Sequence, residues 1–472
     1  MLTLADLFEA LSGDSPPQAR RRPITDAVID SRRAIPGSLF IAIPGSRTDG
    51  HEYVADAFQR GASYALVERD VPGQPVVDLR KPGWMQEGKE FSPPYCLRVE
   101  NTVRALQQTA RFWRKRMKHI KVVGITGSVG KSTTKEVTAG VLSERYRTLK
   151  NEGNFNNEIG LPLTLLRLSE GHQRAVLEMG FYVPGEIAFL CEIAKPHIGV
   201  VTNIGTVHAE RAGSQEAIFE GKSELVQSLP ADGIAILNQD DPWVRRMAER
   251  TQAHVFTYGL TPEADLWADH IEGLGLEGVR FRLHYKHDTL YLRVPMIGRH
   301  SVHTALRAAA VGLAEGLSWE EIVRGLRGGH AQLRLVAVRS ASGALLLDDT
   351  YNASPASTLA ALNLLEELEG HRIAVLGDML ELGPYERQGH EMVGVRAAQA
   401  ADELITVGPR AHIIASAARS AGMPRRRIAE VEDTEEAIAL LRDRLTENDV
   451  VLVKGSRSMH METIVSALEA AE

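Results

Sequence analysis

The run Val122-Val-Gly-Ile-Thr-Gly-Ser-Val-Gly-Lys-Ser-Thr133 decides how this chain is read. Residues 122–126 suit a strand buried on both faces, a glycine-rich turn follows, and residues 131–144 have helical spacing. Strand, turn and helix in that order make a phosphate cradle. Glycines let backbone N–H groups turn inward, the helix N-terminus adds partial positive charge, and Lys131 supplies a cation. Ser132 can place its hydroxyl on a Mg²⁺ that bridges phosphates. The strict spacing puts the first glycine where Ile125 stands, whereas the glycines here are Gly124 and Gly127. The strand–turn–helix setting still predicts a phosphate loop over residues 126–132, and with it an ATP-consuming enzyme.

Outward from the loop, apolar runs at 175–179, 198–203 and 233–238 alternate with helix-like segments, which predicts a mainly parallel sheet with helices on both faces. Over 255–296 the period drops to two, as in Val279-Arg-Phe-Arg-Leu-His-Tyr, predicting a small antiparallel appendage. Residues 301–326 return to an alanine-rich helix. From about Arg334 a second α/β block begins, with strand candidates at 344–347, 373–376, 404–407 and 450–454. Its spacing suits a dinucleotide-type sheet of roughly six strands, without Gly-x-Gly-x-x-Gly after the first. Before the loop, short apolar runs at 38–43, 64–67 and 96–99 mix with helical segments. Residues 71–94 read as a surface excursion rich in Gly, Pro and charge, and 101–118 as a helix with a basic end, as a helix C-terminus favours. The expected fold is α/β in three domains: a small N-terminal one (1–105), a central phosphate-loop sheet with its appendage (106–331), and a Rossmann-like C-terminal one (332–472).

The bulk numbers agree. The chain has 472 residues, about three domains' worth at roughly 150 each. Hydrophobic residues are 44% and charged ones 24%, enough apolar surface for a core in each domain. Net charge is −7 with both signs mixed, so no basic field offers itself to nucleic acid or an anionic membrane. Cys96 and Cys191 have no metal-ligand spacing and read as incidental thiols of a reducing compartment. The N-terminal residues read as an amphipathic helix rather than a signal peptide, and no run approaches the roughly 20 apolar residues of a membrane span. A soluble, cytoplasmic monomer is expected.

Other residues join the loop as candidates. Glu178 ends one apolar run and His208 follows another, and side chains at the C-terminal ends of parallel strands face the ligand crevice. Phosphate with Mg²⁺ needs that mixture of Lys, Ser, Glu and His. Lys222 by itself reads as a solvated helix lysine, and Asn154, Asn156 and Asn157 as turn formers. Asp348-Asp-Thr-Tyr-Asn-Ala-Ser-Pro could be a strand-to-helix cap, but Gly377-Asp-Met-Leu-Glu-Leu-Gly has no structural need for so specific a string.

These strings together resemble the Mur ligase family, which couples ATP cleavage to peptide-bond formation in peptidoglycan precursor synthesis. The resemblance runs from Asp30-Ser-Arg and Pro36-Gly-Ser-Leu-Phe-Ile-Ala through the loop, Asn154-Phe-Asn-Asn-Glu-Ile-Gly-Leu-Pro, Leu177-Glu-Met-Gly and Asn238-Gln-Asp-Asp-Pro. It ends with Asp349-Thr-Tyr-Asn-Ala-Ser-Pro, Leu376-Gly-Asp-Met-Leu-Glu-Leu-Gly and Lys454-Gly-Ser-Arg. The displaced loop glycines are also what this family looks like. Within it the strings imply a ligase joining D-alanyl-D-alanine to UDP-N-acetylmuramoyl-tripeptide, with ATP and two Mg²⁺ ions.

The resemblance implies roles residue by residue. Thr126, Gly127, Ser128, Val129, Gly130, Lys131, Ser132 and Thr133 would cradle the ATP phosphates. Ser132 and Glu178 would hold one Mg²⁺, and His208 and a carbamylated Lys222 a second. Lys131, His208 and Lys222 would form the catalytic set. Asn203 and Asp349 would contact nucleotide, and Arg334 would reach the γ-phosphate. Ser31 and Arg32 would face the UDP-sugar and Asn156 and Asn157 its peptide, with Tyr351 and Asn352 on the substrate side of the third domain. In one place the chain departs: the family's Gly-x-His-Asn-x-x-Asn reads Gly298-Arg-His-Ser-Val-His-Thr here. Ser301 and Thr304 keep a hydroxyl but lose the amide's paired donor and acceptor. Two other readings stand beside this one. A sister ligase (adding the third residue, or polyglutamylating folate) is opposed by the Asp30-Ser-Arg segment in the folate case. A non-catalytic nucleotide-binding module leaves the third-domain strings unexplained.

Overall fold

The apolar runs bounded by turn residues assemble into three separate sheets. The structure, a computed structural model, describes residues 1–15, 19, 22–45, 48–81, 92–205, 210, 213–328 and 336–469. The first sheet comprises β1 (Ala27–Val28), β2 (Leu39–Ile41), β3 (Tyr64–Val67), β4 (Val76–Asp78) and β5 (Tyr95–Arg98), in the order β1-β2-β3-β5-β4, all parallel. Strand β4 corrects the expectation of a surface excursion over 71–94. Val77 is buried and pairs with Leu97, so three residues of that polar stretch close the sheet edge.

The central sheet has β6 (Lys121–Thr126), β7 (Thr148–Lys150), β8 (Arg174–Glu178), β9 (Ile198–Val201), β10 (Ile234–Asn238), β11 (His254–Gly259), β12 (Leu266–Gly273), β13 (Val279–Tyr285) and β14 (Asp288–Val294). Their order is β14-β13-β12-β11-β10-β9-β6-β8-β7. The predicted antiparallel appendage is therefore no separate unit. β11 lies parallel to β10 along its length, and only β12, β13 and β14 pair antiparallel, continuing the same sheet outward. The period of two arises because β13 alternates buried and exposed residues where one face meets solvent.

The helix expected over 301–326 is two helices, Ser301–Ala314 and Trp319–Arg327. Gly316, at φ 76°, ends the first, and Ser318 with Glu321 forms a capping box that starts the second. Both pack on the helix Lys131–Ser143, and Gly325 permits the approach: a Cβ there would lie 2.4 Å from Val141 Cα.

The third sheet has β15 (Val336–Arg339), β16 (Leu345–Asp348), β17 (His371–Gly377), β18 (Glu403–Val407), β19 (Ile428–Val431) and β20 (Asp449–Lys454), ordered β15-β16-β20-β17-β18-β19. Only β15 is antiparallel. Apolar cores lie on both faces of this sheet, their buried residues all from this unit, with Ile297 of the central unit packed against one of them. One continuous core instead joins the first sheet to the central one, through Leu39, Leu66, Leu106, Trp113 and Leu177. The helix Thr102–Arg116 is the bridge. At its basic end Arg114 turns inward and donates to the carbonyls of Met117 and Ile120, in the turn that joins the helix to β6.

Candidate active site

Register sets the site. Ile125 of β6 pairs with Glu178 of β8, and Thr126 with Val201 of β9, so three parallel strands end side by side. The loop after β6 is pinned by the segment after β9. Ser128 N donates to the Asn203 carbonyl (2.9 Å), and Val129 N to Asn203 Oδ1 (2.9 Å). Asn203 Nδ2 and Thr202 Oγ1 donate to the Val129 carbonyl, at 3.0 and 2.7 Å. Thr126 Oγ1 donates to the Met179 carbonyl at 3.1 Å. Gly127, at φ 142°, has no room for a side chain, since a Cβ would lie 1.8 Å from Thr202 Oγ1. Gly130 caps the helix Lys131–Ser143 with no side-chain acceptor, so the helix N-terminus opens towards whatever enters the loop.

Two lysines converge on one oxygen. Lys131 Nζ and Lys222 Nζ both donate to the Gly127 carbonyl, at 2.9 and 3.0 Å. The solvated helix lysine that its local sequence suggests is in fact wholly buried, with the Phe181 ring centroid 4.6 Å from Nζ. Burial, and then the charge of Lys131, push its amine well below the ordinary lysine range. Gly221 makes this possible, because a Cβ there would overlap Phe181 at 2.0 Å.

Glu178 is 2% exposed, and its carboxylate accepts from Ser132 Oγ (2.6 Å) and Asn156 Nδ2 (2.8 Å). Asn151 fixes its backbone from both sides, at 3.0 and 3.1 Å. A buried carboxylate whose side-chain partners are neutral, beside the loop serine, is a donor set of hard oxygens that suits Mg²⁺. Among the described residues no three His, Cys, Asp or Glu side chains form a metal cage. Mg²⁺ commonly takes one or two protein ligands and completes its shell with phosphate and water.

The loop opens onto a cleft of about 400 Å³ between the central sheet and the third one. Asn203, His300, Thr304 and Arg307 line one wall; Asp349, Asn352 and Lys454 line the other. Lys454 is 2% exposed and donates to Asp349 Oδ2 (2.7 Å) and the Asn352 carbonyl (2.8 Å). Tyr351 lies under the Arg457 guanidinium at 5.3 Å. Burial, with the charges of Arg307, His303 and Lys454, pushes the His300 imidazole down to about 4. His303 Nε2 meets Asp240 Oδ2 at 2.7 Å, tying the string 238–242 to this wall.

Not every candidate converges on the cleft. Ser31 and Arg32 stand in the first unit, where Arg32 forks onto Asp30. Neighbouring Arg33 joins Glu152 (3.2 Å) on the segment that carries Asn156 and Asn157. Asn157 spends its side-chain oxygen on Gly160 N (2.8 Å), capping the next helix. His208 and Arg334 lie outside the described residues. Sequence reasoning passed over Arg307, which sits unannounced in an alanine-rich helix, and gave no role to His300 or Lys454, although both stand in strings it quoted.

Fold and site define a three-unit α/β enzyme of the phosphate-loop type. The Mur ligase family catalytic domain matches residues 23–93, the Mur ligase middle domain 125–312, and the Mur ligase glutamate ligase domain 333–457. The chain belongs to the Mur ligase family. It is similar to the UDP-N-acetylmuramoyl-tripeptide–D-alanyl-D-alanine ligase of Bacillus subtilis, 34% identical over 99% of this chain and 98% of that one. Among solved structures it resembles MurF from Acinetobacter baumannii (TM-score 0.83, 31% identity, 99% and 98% of the two chains). It also resembles MurF from Thermotoga maritima in complex with ADP (TM-score 0.76, 28% identity, 94% and 96%).

Proposed function

We propose that this enzyme joins D-alanyl-D-alanine to UDP-N-acetylmuramoyl-tripeptide at the expense of ATP, in peptidoglycan precursor synthesis. The observation that carries the reading is the buried Glu178 carboxylate bonded to Ser132 of a phosphate loop that faces a third α/β unit. The ATP phosphates lie along residues 126–133, with Lys131 compensating their charge. Ser132 and Glu178 would hold Mg²⁺, which would offset phosphate charge. Lys222 and His208 would hold a second ion, Lys222 as the carbamate that its amine would give by adding CO₂ and losing a proton. A neutral amine is what that addition needs, and the burial of Lys222 favours it.

The tripeptide's terminal carboxylate attacks the γ-phosphorus, the bond to ADP breaks, and an acyl phosphate forms. The dipeptide amine then attacks the acyl carbon, inorganic phosphate leaves, and the amine gives up a proton. Water would hydrolyse the acyl phosphate, so the first unit (1–105) holds the UDP-sugar through Ser31 and Arg32, with Asn156 and Asn157 on its peptide. The third unit (332–472) brings the dipeptide against Tyr351 and Asn352 and closes over the central ATP unit (106–331). Asn203 and Asp349 contact the nucleotide, and Arg334 reaches the γ-phosphate. No helix among the described residues is long and apolar enough to cross a membrane. The enzyme acts as a cytoplasmic monomer, where ATP and UDP-linked precursors are available.

Phosphate release from ATP and Mg²⁺ is the test. It should require both the UDP-linked tripeptide and D-alanyl-D-alanine, and the product should gain one dipeptide in mass. Release with a different amine in place of the dipeptide would discard the substrate and keep the ligase.

A further inference from the structure

Two arginines of the central unit are almost wholly buried, and they are satisfied very differently. Arg114 donates from Nε to the Ala194 carbonyl (2.8 Å), from Nη1 to Met117 (2.7 Å) and from Nη2 to Ile120 (3.0 Å). Backbone carbonyls engage its whole fork, as a structural clamp requires. Arg307, in the helix Ser301–Ala314, is 4% exposed. It donates from Nε to the His303 carbonyl (3.0 Å) and from Nη2 to Thr304 Oγ1 (2.9 Å). Tyr258 is its other neighbour, with the ring centroid 5.8 Å away. Among the described residues no carboxylate pairs with it. A guanidinium has five N–H donors, and Tyr258 is a further hydrogen-bond partner, so part of this one's capacity is left for the cleft.

Those two bonds run back three and four residues along the helix and draw the side chain towards the helix N-terminus. That places it against the phosphate loop: a Cβ built on Gly130 would lie 3.6 Å from Nη2 and 3.7 Å from Nη1. Arg307 shares the cleft with Ile297, His300 and Leu364, whereas Glu178 and Lys222 do not line it. It thus stands on the cleft side of the loop, which residues 128–133 also line. The surrounding charges do not offset its own. Lys131 stands on the loop, Lys454 is already paired with Asp349, and His303 with Asp240. Burial chiefly, and then the charges of Arg307, His303 and Lys454, depress the His300 imidazole beside it. A buried cation without a counter-charge is costly, and an arriving anion relieves the cost.

We propose that Arg307 is a nucleotide-binding residue, its guanidinium closing on the α- and β-phosphates of a nucleoside di- or triphosphate held by residues 126–132. This rests on the reading of that loop as the ATP site. Thr304, where the family pattern has asparagine, supplies the hydroxyl that aims the fork.

Equilibrium binding of ADP and of adenosine to the full-length enzyme separates a charge contact from a packing role. Arg307→Met should weaken ADP roughly ten- to a hundredfold, the usual range for a lost charged hydrogen bond, and leave adenosine unchanged. Arg307→Lys should recover part of the loss, because it keeps the charge without the fork. Equal weakening of ADP and adenosine, or none of either, would overturn the proposal. Should Arg307→Met not fold, Thr304→Val reads the same ratio: ADP should weaken relative to adenosine, and an unchanged ratio sinks the idea. Failure of the unaltered enzyme to bind ADP would instead remove the ATP reading of the loop, and this inference with it.

Discussion

The third unit and the central unit each contain a buried lysine, and the two are used in opposite ways. On the third unit's wall, Lys454 ends β20 and is neutralised where it stands, by Asp349 at 2.7 Å. In the central unit, Lys222 is more deeply buried, and among the described residues it meets a carbonyl oxygen, an aromatic ring and the like charge of Lys131. The first arrangement holds together the two strand ends, β16 and β20, that shape the third unit's face. The second holds an amine well below the ordinary lysine range beside the phosphate loop, a costly arrangement that folding alone does not require. A charge paired within the chain is architecture, and one left for something else marks the chemistry.

Substitutions that remove each charge at similar volume should separate the two. Lys454→Met takes a buried cation from the Asp349 carboxylate and should cost about 3–5 kcal/mol of stability. Adding Asp349→Asn should return much of it, and denaturant unfolding of the four-variant cycle measures the coupling. Lys222→Met should behave the other way, with a neutral or slightly raised unfolding midpoint but turnover lower by roughly 10²–10³-fold. An equal loss of stability in both variants would erase the distinction.

A pH profile sharpens the central wall further. Folding holds His300 at about 4, below its unfolded value near 6.5, so the unfolded chain binds the extra proton. Stability is therefore full above about pH 6.5 and lost as pH falls, by about 3 kcal/mol near pH 4. His300→Gln should flatten that part of the profile, and thermal melts from pH 7 to pH 4 check it. The smallest effect belongs to Arg32, far from both walls. It is 80% exposed and forks onto Asp30 beside it. Arg32→Ala should leave the melting midpoint in place and raise KM for the UDP-linked substrate without lowering kcat.

Much of this was legible before any coordinates. The phosphate loop, the helix behind it and the parallel strands β6, β8, β9 and β10 followed from apolar runs closed by turn residues, because a strand buried on both faces has few other ways to be written. The short elements were not legible. β1 has two residues and β4 three, too few for a period to appear. The alternation over 255–296 was real, but periodicity records which face is wet and not which strand lies alongside. β11 therefore went unrecognised as a parallel neighbour of β10.

The site divides in the same way. Sequence alone determined the residue types around the phosphates, because a glycine turn between strand and helix fixes Lys131 and Ser132, and the end of an apolar run fixes Glu178. Only the tertiary structure decided which charges are compensated. Lys222 reads as a solvated helix lysine and Arg307 as one cation in an alanine-rich helix, while Lys454 acquires its partner from a strand end 105 residues earlier in the chain. Burial and pairing are properties of what packs against a side chain, and the elements that pack here come from distant parts of the sequence.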